Sequence, residues 1–277
     1  MSIERRPVSI SLDQFLAESL SIVETAEKNG VILRILGGFA IYIHSDKSPE
    51  CRELQLGLDR LGQGKPPFTD LDLVGYNKQW NELVSVLEKS CKLRPDRMAN
   101  ALFARTRLIY FHPTSKFPID VFLDKLEYSH DVVFGEYPNN PRLGLDYPTI
   151  SLADLMLEKL QIHQVNRKDL IDLIVLLLGH KIVTEPDKDA IDSKHIASSL
   201  ANDWGFYYDA TNNLNSVKQL CETLLSERRI TPGQSAIVTQ RTNELLEIID
   251  KEPKTAEWNL RAKIGPKNQW YREVTDL

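Results

Sequence analysis

The residues best suited to chemistry in this chain are three aspartates and a pair of glycines. Asp70 and Asp72 stand at i and i+2 in Phe68-Thr69-Asp70-Leu71-Asp72-Leu73-Val74-Gly75-Tyr76. That stretch is apolar and ends at a glycine, which reads as a buried strand. Strand side chains repeat with period two, so both carboxylates project to one face. Two like charges side by side raise each other's pKa unless a cation sits between them. A hard divalent ion such as Mg²⁺, shared with phosphate oxygens, meets that need. A solvated strand edge or turn gives the same Asp-x-Asp pattern.

Two further stretches bear on the choice. Val31-Ile32-Leu33-Arg34-Ile35-Leu36 is strand-like and stops at Gly37-Gly38, after which Phe39-Ala40-Ile41-Tyr42-Ile43 opens a buried helix. A glycine pair between strand and helix lets backbone amides and the helix dipole approach a phosphate. Downstream, Phe117-Pro118-Ile119-Asp120-Val121-Phe122-Leu123 is an apolar strand with one interior carboxylate, Asp120. A buried charge there needs a partner.

Gly37-Gly38, then Asp70-x-Asp72, then Asp120 on a later strand resembles the nucleotidyltransferase superfamily of DNA polymerase beta. Within it the chain is most similar to the bacterial branch of AbiEii-type abortive-infection toxins and stand-alone nucleotidyltransferases. Ser151 to Leu160, followed by Arg167 to Leu173, is similar to that branch's helices after the core, where a lysine-bearing helix precedes an Arg-x-x-Asp-like one. The resemblance spans roughly residues 30–178 by motif order. It implies an α/β (α+β) fold: a mixed sheet with flanking helices, residues 1–148, and a helical C-terminal domain, residues 149–277. It implies that Asp70, Asp72 and Asp120 are catalytic and bind two Mg²⁺ ions, with Asp120 also a candidate proton acceptor. Gly37, Gly38, Thr69 and Lys159 would bind the nucleotide. The implied reaction moves a nucleoside monophosphate from a nucleoside triphosphate to an acceptor hydroxyl on RNA or tRNA, a protein or a small molecule. A cognate antitoxin is a possible partner of that branch. The alternative is a non-catalytic nucleotide- or partner-binding member of the same fold.

Composition bounds these readings. The 277 residues carry 34 Lys and Arg against 39 Asp and Glu, a net charge of −5, which gives no global drive toward nucleic acid. Cys51, Cys91 and Cys221 are far apart and signal neither a disulfide framework nor a zinc knuckle. A reducing cytoplasm fits. Met1 to Pro7 lacks the apolar segment of a signal peptide. The most apolar run, Leu170 to Leu178, contains Asp172 and is too short to span a membrane.

The elements that must position these groups follow from periodicity. Ser11 reads as the N-cap of a helix that stops at Asn29-Gly30. Residues 46–67 form a long hydrophilic connection with a helical insert over Glu50 to Leu61, either a lid or a surface excursion, from which Arg60 and Lys65 could approach a triphosphate. Residues 78–91 are an amphipathic helix. Leu102 to His112 reads as a strand with Arg105 and Arg107 on one face, more simply solvated than bound to phosphate. Leu126 to Phe134 and Arg142 to Tyr147 read as edge strands. From Ser151 on, the pattern is helical: Lys159 either snorkels over apolar surface or reaches a triphosphate, with Asp169 and Asp172 placed to orient it or Arg167. His163 reads as structural. Helices follow over 187–203, 208–227 and 231–250, with aromatics near Gly205 as a packing hub or stacking surface. The tail, with Trp258, Trp270 and Tyr271 among basic residues, reads as a docked segment or a single-strand-binding one.

Overall fold

The computed structural model describes residues 10–103, 105–185 and 187–274. Five strands, β1 (Leu33–Ile35), β2 (Leu71–Gly75), β3 (Arg94–Pro95), β4 (Arg107–Phe111) and β5 (Pro118–Leu123), form one mixed sheet in the order β1-β2-β5-β4-β3. Only β2 and β5 run parallel; the other neighbours are antiparallel. Helices α1 (Leu12–Lys28), α2 (Gly37–His44), α3 (Pro49–Gly57), α4 (Trp80–Ser85) and α5 (Arg97–Phe103) belong to this half of the chain. A helical lobe follows: α6 (Leu152–Leu160), α7 (Arg167–Gly179), α8 (Ser193–Asn202), α9 (Trp204–Ser226), α10 (Pro232–Lys251) and α11 (Ala256–Ile264). The fold is the expected α+β type, and no helix among the described residues is long and apolar enough to cross a membrane.

Local chemistry sets the main boundaries. Ser11 accepts the Gln14 amide and starts α1, and Ser151 accepts the Asp154 amide and starts α6. Thr231 and Gln234 form a reciprocal capping box with Pro232 at the first turn of α10. Every residue of β5 and of α6 is buried. The apolar α7 packs against α2, α3, α6, α9 and α10, which is why its run of Ile, Leu and Val has so little polar face.

A phenylalanine cluster ties the sheet to its helices beneath the carboxylates. Phe15 of α1 meets Phe39 of α2 at 4.6 Å and Phe117, just before β5, at 4.9 Å between centroids. Phe39 meets Phe68, just before β2, at 5.0 Å. The entries of β2 and β5 are therefore anchored on the same rings, and Asp70 and Asp120 lie two and three residues beyond them.

The structure corrects several expected elements. Leu102 and Phe103 end α5 and are not in a strand, because Asp96 caps that helix by accepting from the amides of Met98 and Ala99. The strand begins only at Arg107. Residues 142–147 make no edge strand; Arg142–Gly144 is a 3-10 turn, and Leu126 to Phe134 folds as a separate hairpin of Lys125–Glu127 with Asp131–Val133. The insert helix ends at Gly57 and does not reach Leu61. Residues 78–91 are a 3-10 turn, a short α-helix and a π turn in succession. The helical pattern after Ser151 is interrupted by a parallel pair of two-residue strands, Ile182–Val183 and Ile191–Asp192, so α8 begins at Ser193 instead of 187.

Removing the ring at the centre of the phenylalanine cluster, Phe15→Ala, is expected to destabilise the fold by about 3–5 kcal/mol, the usual range for a buried phenylalanine. Urea denaturation measures this; a loss under 1 kcal/mol would mean the cluster does not anchor the strands.

Candidate active site

The parallel register places Asp72 directly beside Asp120. Asp70 stands just ahead of β2 and accepts a hydrogen bond from Thr69 Oγ1 at 3.0 Å. Each of the three aspartates offers an oxygen, and these atoms all lie within 4.8 Å of one another. Burial pushes the Asp72 carboxyl well above the usual carboxylate range, and Asp70, Asp120 and Glu158 push it further against the opposing charges of Lys159 and Arg107. All-oxygen donors at this spacing suit a hard divalent cation such as Mg²⁺.

Arg107 of β4 donates from Nη2 to Asp120 Oδ2 at 2.7 Å and lies 5.1 Å over the Phe122 ring. The solvated role expected for Arg107 is thus overturned: the antiparallel β4–β5 pairing brings it to the carboxylate. Arg105 is exposed, as expected.

The glycine pair serves two different close approaches. Gly37 has a φ of +77°, and a Cβ there would lie 2.9 Å from Asp72 Oδ2. Its amide donates to Glu158 Oε2 at 2.9 Å. Gly38 carries the guanidinium of Arg60 against its Cα; a Cβ would fall 2.1 Å from Nη2. Arg60 reaches this seat from the long connection and pairs bidentately with Asp172 of α7, at 2.7 Å from Nε and 2.6 Å from Nη2. Gln55 of α3 bolts the connection down, donating to Gly38 O at 2.8 Å and to Asp172 Oδ1 at 3.2 Å.

Lys159 of α6 is buried beside this pair. Its ammonium lies 3.0 Å from Asp169, 3.1 Å from Glu158 and 3.3 Å from Asp172. Burial would lower its pKa, but these three carboxylates outweigh burial and raise it well above the ordinary value. Asp172 is held below the carboxylate range for the converse reason: burial raises it, and Arg60 and Lys159 overcome that. Asp169 Oδ2 and Arg107 Nε are buried without a hydrogen-bond partner among the described residues.

These groups line one cavity of about 950 Å³ between the sheet and the helical lobe. Gly38, Thr69, Asp70, Asp72, Asp120 and Lys159 are on its wall, while Gly37 lies behind Asp72 and is not. Of the two cations on the long connection, Arg60 faces the cavity and Lys65 is exposed elsewhere. Asp169 and Asp172 engage Lys159, and Arg167 is exposed. The aromatics near Gly205 form a packing hub, with Trp204 and Tyr208 at 5.2 Å and Trp270 set against both.

Sequence reasoning did not single out Glu158 or the pairing of Arg107. For Glu158 a signal existed: Asp154 and Glu158 are four residues apart on a helix whose apolar residues leave no solvent face, so an acid there had to be paired. For Arg107 no local pattern points to a carboxylate thirteen residues on.

Fold and site together define an α+β protein with a carboxylate-lined cavity between a mixed sheet and a helical lobe. No protein-family model matches the chain, and no curated protein matches it. Among solved structures it is similar to the antibiotic-resistance factor ANT(2'')-Ia, at 12% identity and a TM-score of 0.32, covering 86% of this chain and 96% of that one. Similarity at that level transfers no property from one chain to the other.

Gly38→Ala is expected to push the Arg60 guanidinium off its seat and lower stability by about 1–3 kcal/mol. Arg60→Ala leaves Asp172 short of its partner and is expected to cost about 3–5 kcal/mol alone, but distinctly less in the Gly38→Ala background. Strict additivity in urea denaturation would refute the seat.

Asp72→Asn is expected to raise the thermal midpoint of the metal-free protein at neutral pH by about 2–4 °C, the shift of roughly 1 kcal/mol in a chain of nearly this size. The sign follows from linkage. A carboxyl whose folded pKa is raised destabilises the fold above that pKa, and the penalty fades as pH falls from there to the unfolded value near 3.9. The stabilisation by Asp72→Asn should therefore shrink across that window; calorimetry at several pH values checks it.

Proposed function

We propose that this chain is a Mg²⁺-dependent nucleotidyltransferase that moves a nucleoside monophosphate from a nucleoside triphosphate to an acceptor hydroxyl. The observation that carries the reading is the convergence of Asp70, Asp72 and Asp120 oxygens within 4.8 Å on a cavity wall that also bears Arg60 and Lys159. Carboxylates to hold a cation and fixed basic groups to meet phosphate are the two requirements of phosphoryl transfer. The motif order in the sequence supports the same reading. A division at residues 148 and 149 belongs to it, with the cavity receiving groups from both parts.

Asp70, Asp72 and Asp120 would hold Mg²⁺, which when bound neutralises phosphate charge and activates the acceptor hydroxyl. Arg60, fixed by Asp172 through Nε and Nη2, would present its remaining edge to phosphate oxygens, and Lys159 would add positive charge from behind. The Gly38 and Thr69 positions would border the phosphates. The acceptor oxygen forms a bond to the α-phosphorus as the bond to the bridging oxygen breaks and pyrophosphate leaves. Asp120, oriented by Arg107, would take the hydroxyl proton. The cavity volume is that of a site for a small ligand, so the acceptor would be a small molecule or a projecting end or side chain of a larger one.

The test is incubation with Mg²⁺ and each labelled nucleoside triphosphate, alone, with total tRNA, and with polyhydroxylated small molecules. Label should reach one acceptor class, and Asp70→Asn and Asp120→Asn should reduce transfer to background with an unchanged circular dichroism spectrum. Near-wild-type transfer by either variant would remove the assignment, and nucleotide binding with no transfer to any acceptor would favour a binding protein.

A further inference from the structure

We infer that the stacked rings of His163 and Tyr271 are the platform for the nucleobase of the triphosphate substrate, so that the C-terminal segment completes the substrate site. This rests on the nucleotidyltransferase reading above and extends it to a part of the chain with none of the motif residues.

The segment is fixed on both sides of Tyr271. Trp270 donates from Nε1 to Asp209 Oδ2 at 3.1 Å, and its carbonyl lies where a Cβ on Gly205 would be only 2.7 Å away. Arg272 donates from its amide to Ser129 O at 3.0 Å and from Nε to Tyr128 O at 2.9 Å, and it pairs with Asp131. The tyrosine between them has its position set by elements far apart in sequence. Its ring lies parallel to that of His163, centroids 3.5 Å apart and planes 12° apart. His163 is itself held: Nδ1 bonds to Asp209 Oδ1 at 2.9 Å, and its amide donates to Ser129 Oγ at 3.1 Å. Both rings are half-buried, and both line the cavity that contains the three aspartates, Arg60 and Lys159.

Trp270 is seated against Trp204 and Tyr208 and also meets the edges of the stack, at 5.2 Å from His163 and 5.4 Å from Tyr271, so the platform and the anchor of the segment are one continuous cluster. The other rings on the wall are committed. Phe39 and Phe68 belong to the phenylalanine cluster, with Tyr42 also stacked on Phe39, and Tyr128 meets Phe122 edge to face. Tyr271 has one face on His163 and meets Trp270 edge to face, but unlike the other rings it is held by neighbours of its own C-terminal segment and keeps a half-exposed ring on the cavity. A rigid, pre-stacked aromatic pair in the same cavity as phosphate-complementary cations suits a planar group joined to a polyphosphate. Every nucleobase has a face to stack, so such a platform binds all four with little discrimination.

Calorimetric titration of the full chain with each Mg²⁺-nucleoside triphosphate, and with Mg²⁺-tripolyphosphate, tests this. Tyr271→Ala should weaken all four nucleotides about five- to a hundredfold, the usual effect of removing a stacking ring, and leave tripolyphosphate binding unchanged. Tyr271→Phe should bind like wild type. Tyr271→Leu keeps apolar bulk at the anchor and should show the same selective loss, which decides the matter if the alanine variant fails to fold. Equal weakening of nucleotide and tripolyphosphate, or no weakening of nucleotide, would overturn the platform. If wild type binds neither compound, the nucleotidyltransferase reading falls and the platform with it.

Discussion

Neighbouring strands lie under 5 Å apart whatever side chains they carry. In this sheet that spacing separates the residue pair Asp72 and Asp120, and the exact parallel pairing of β2 with β5 leaves neither room to withdraw. Much of the surrounding structure answers the resulting repulsion. Arg107 is drawn to Asp120 from one side, and Lys159 opposes the acidity around Asp72 from another. The cluster persists because the phenylalanines beneath it anchor both strand entries. Like charges held this close with little solvent are destabilising, and such clusters concentrate at functional sites.

The helical lobe brings one buried cation and three carboxylates together beside the cavity, arranged by a different geometry. On α6, Lys159 follows Glu158 directly, so a cation and an anion leave the same helix turn toward the cavity. On α7, Asp169 and Asp172 are one turn apart and share that cation. Asp172 also clamps Arg60, which reaches it from the connection between sheet strands. A single carboxylate thus ties the long insert, the glycine turn and the lobe together, and Gly38 matters because nothing larger than hydrogen fits under the guanidinium.

What could be read from the chain alone was what local pattern encodes. The acidic strand, the strand-glycine-helix turn and the Asp120 strand all follow from hydrophobic period and turn residues, and each appears close to its expected place. The caps at Ser11, Ser151 and Thr231 were equally readable. The misjudged segments were those where local preference is weak: α5 is a short exposed helix whose Asp96 cap is the one clear sign, and 142–147 has apolar residues without a partner strand. The site was half legible. Asp70, Asp72, Asp120 and Lys159 carry signals within a few residues of themselves, whereas Arg107 with Asp120, Arg60 with Asp172 and His163 with Tyr271 are pairings made by tertiary structure between segments that do not announce each other.

Synthesis runs from the carboxylates to the wall. Tyr271 is joined to the growing chain about 150 residues after Asp120, an interval of roughly 8–30 s at the usual pace of translation. For that time the nascent protein holds all three aspartates but lacks the segment that walls the cavity beside them. A chain released early, anywhere in α8 to α11, would carry every aspartate of the cluster and yet have an open flank where Trp270 to Arg272 belong. Assembly order therefore makes the complete cavity wall a late event in the life of each molecule, reached only when α9 is in place to receive Trp270.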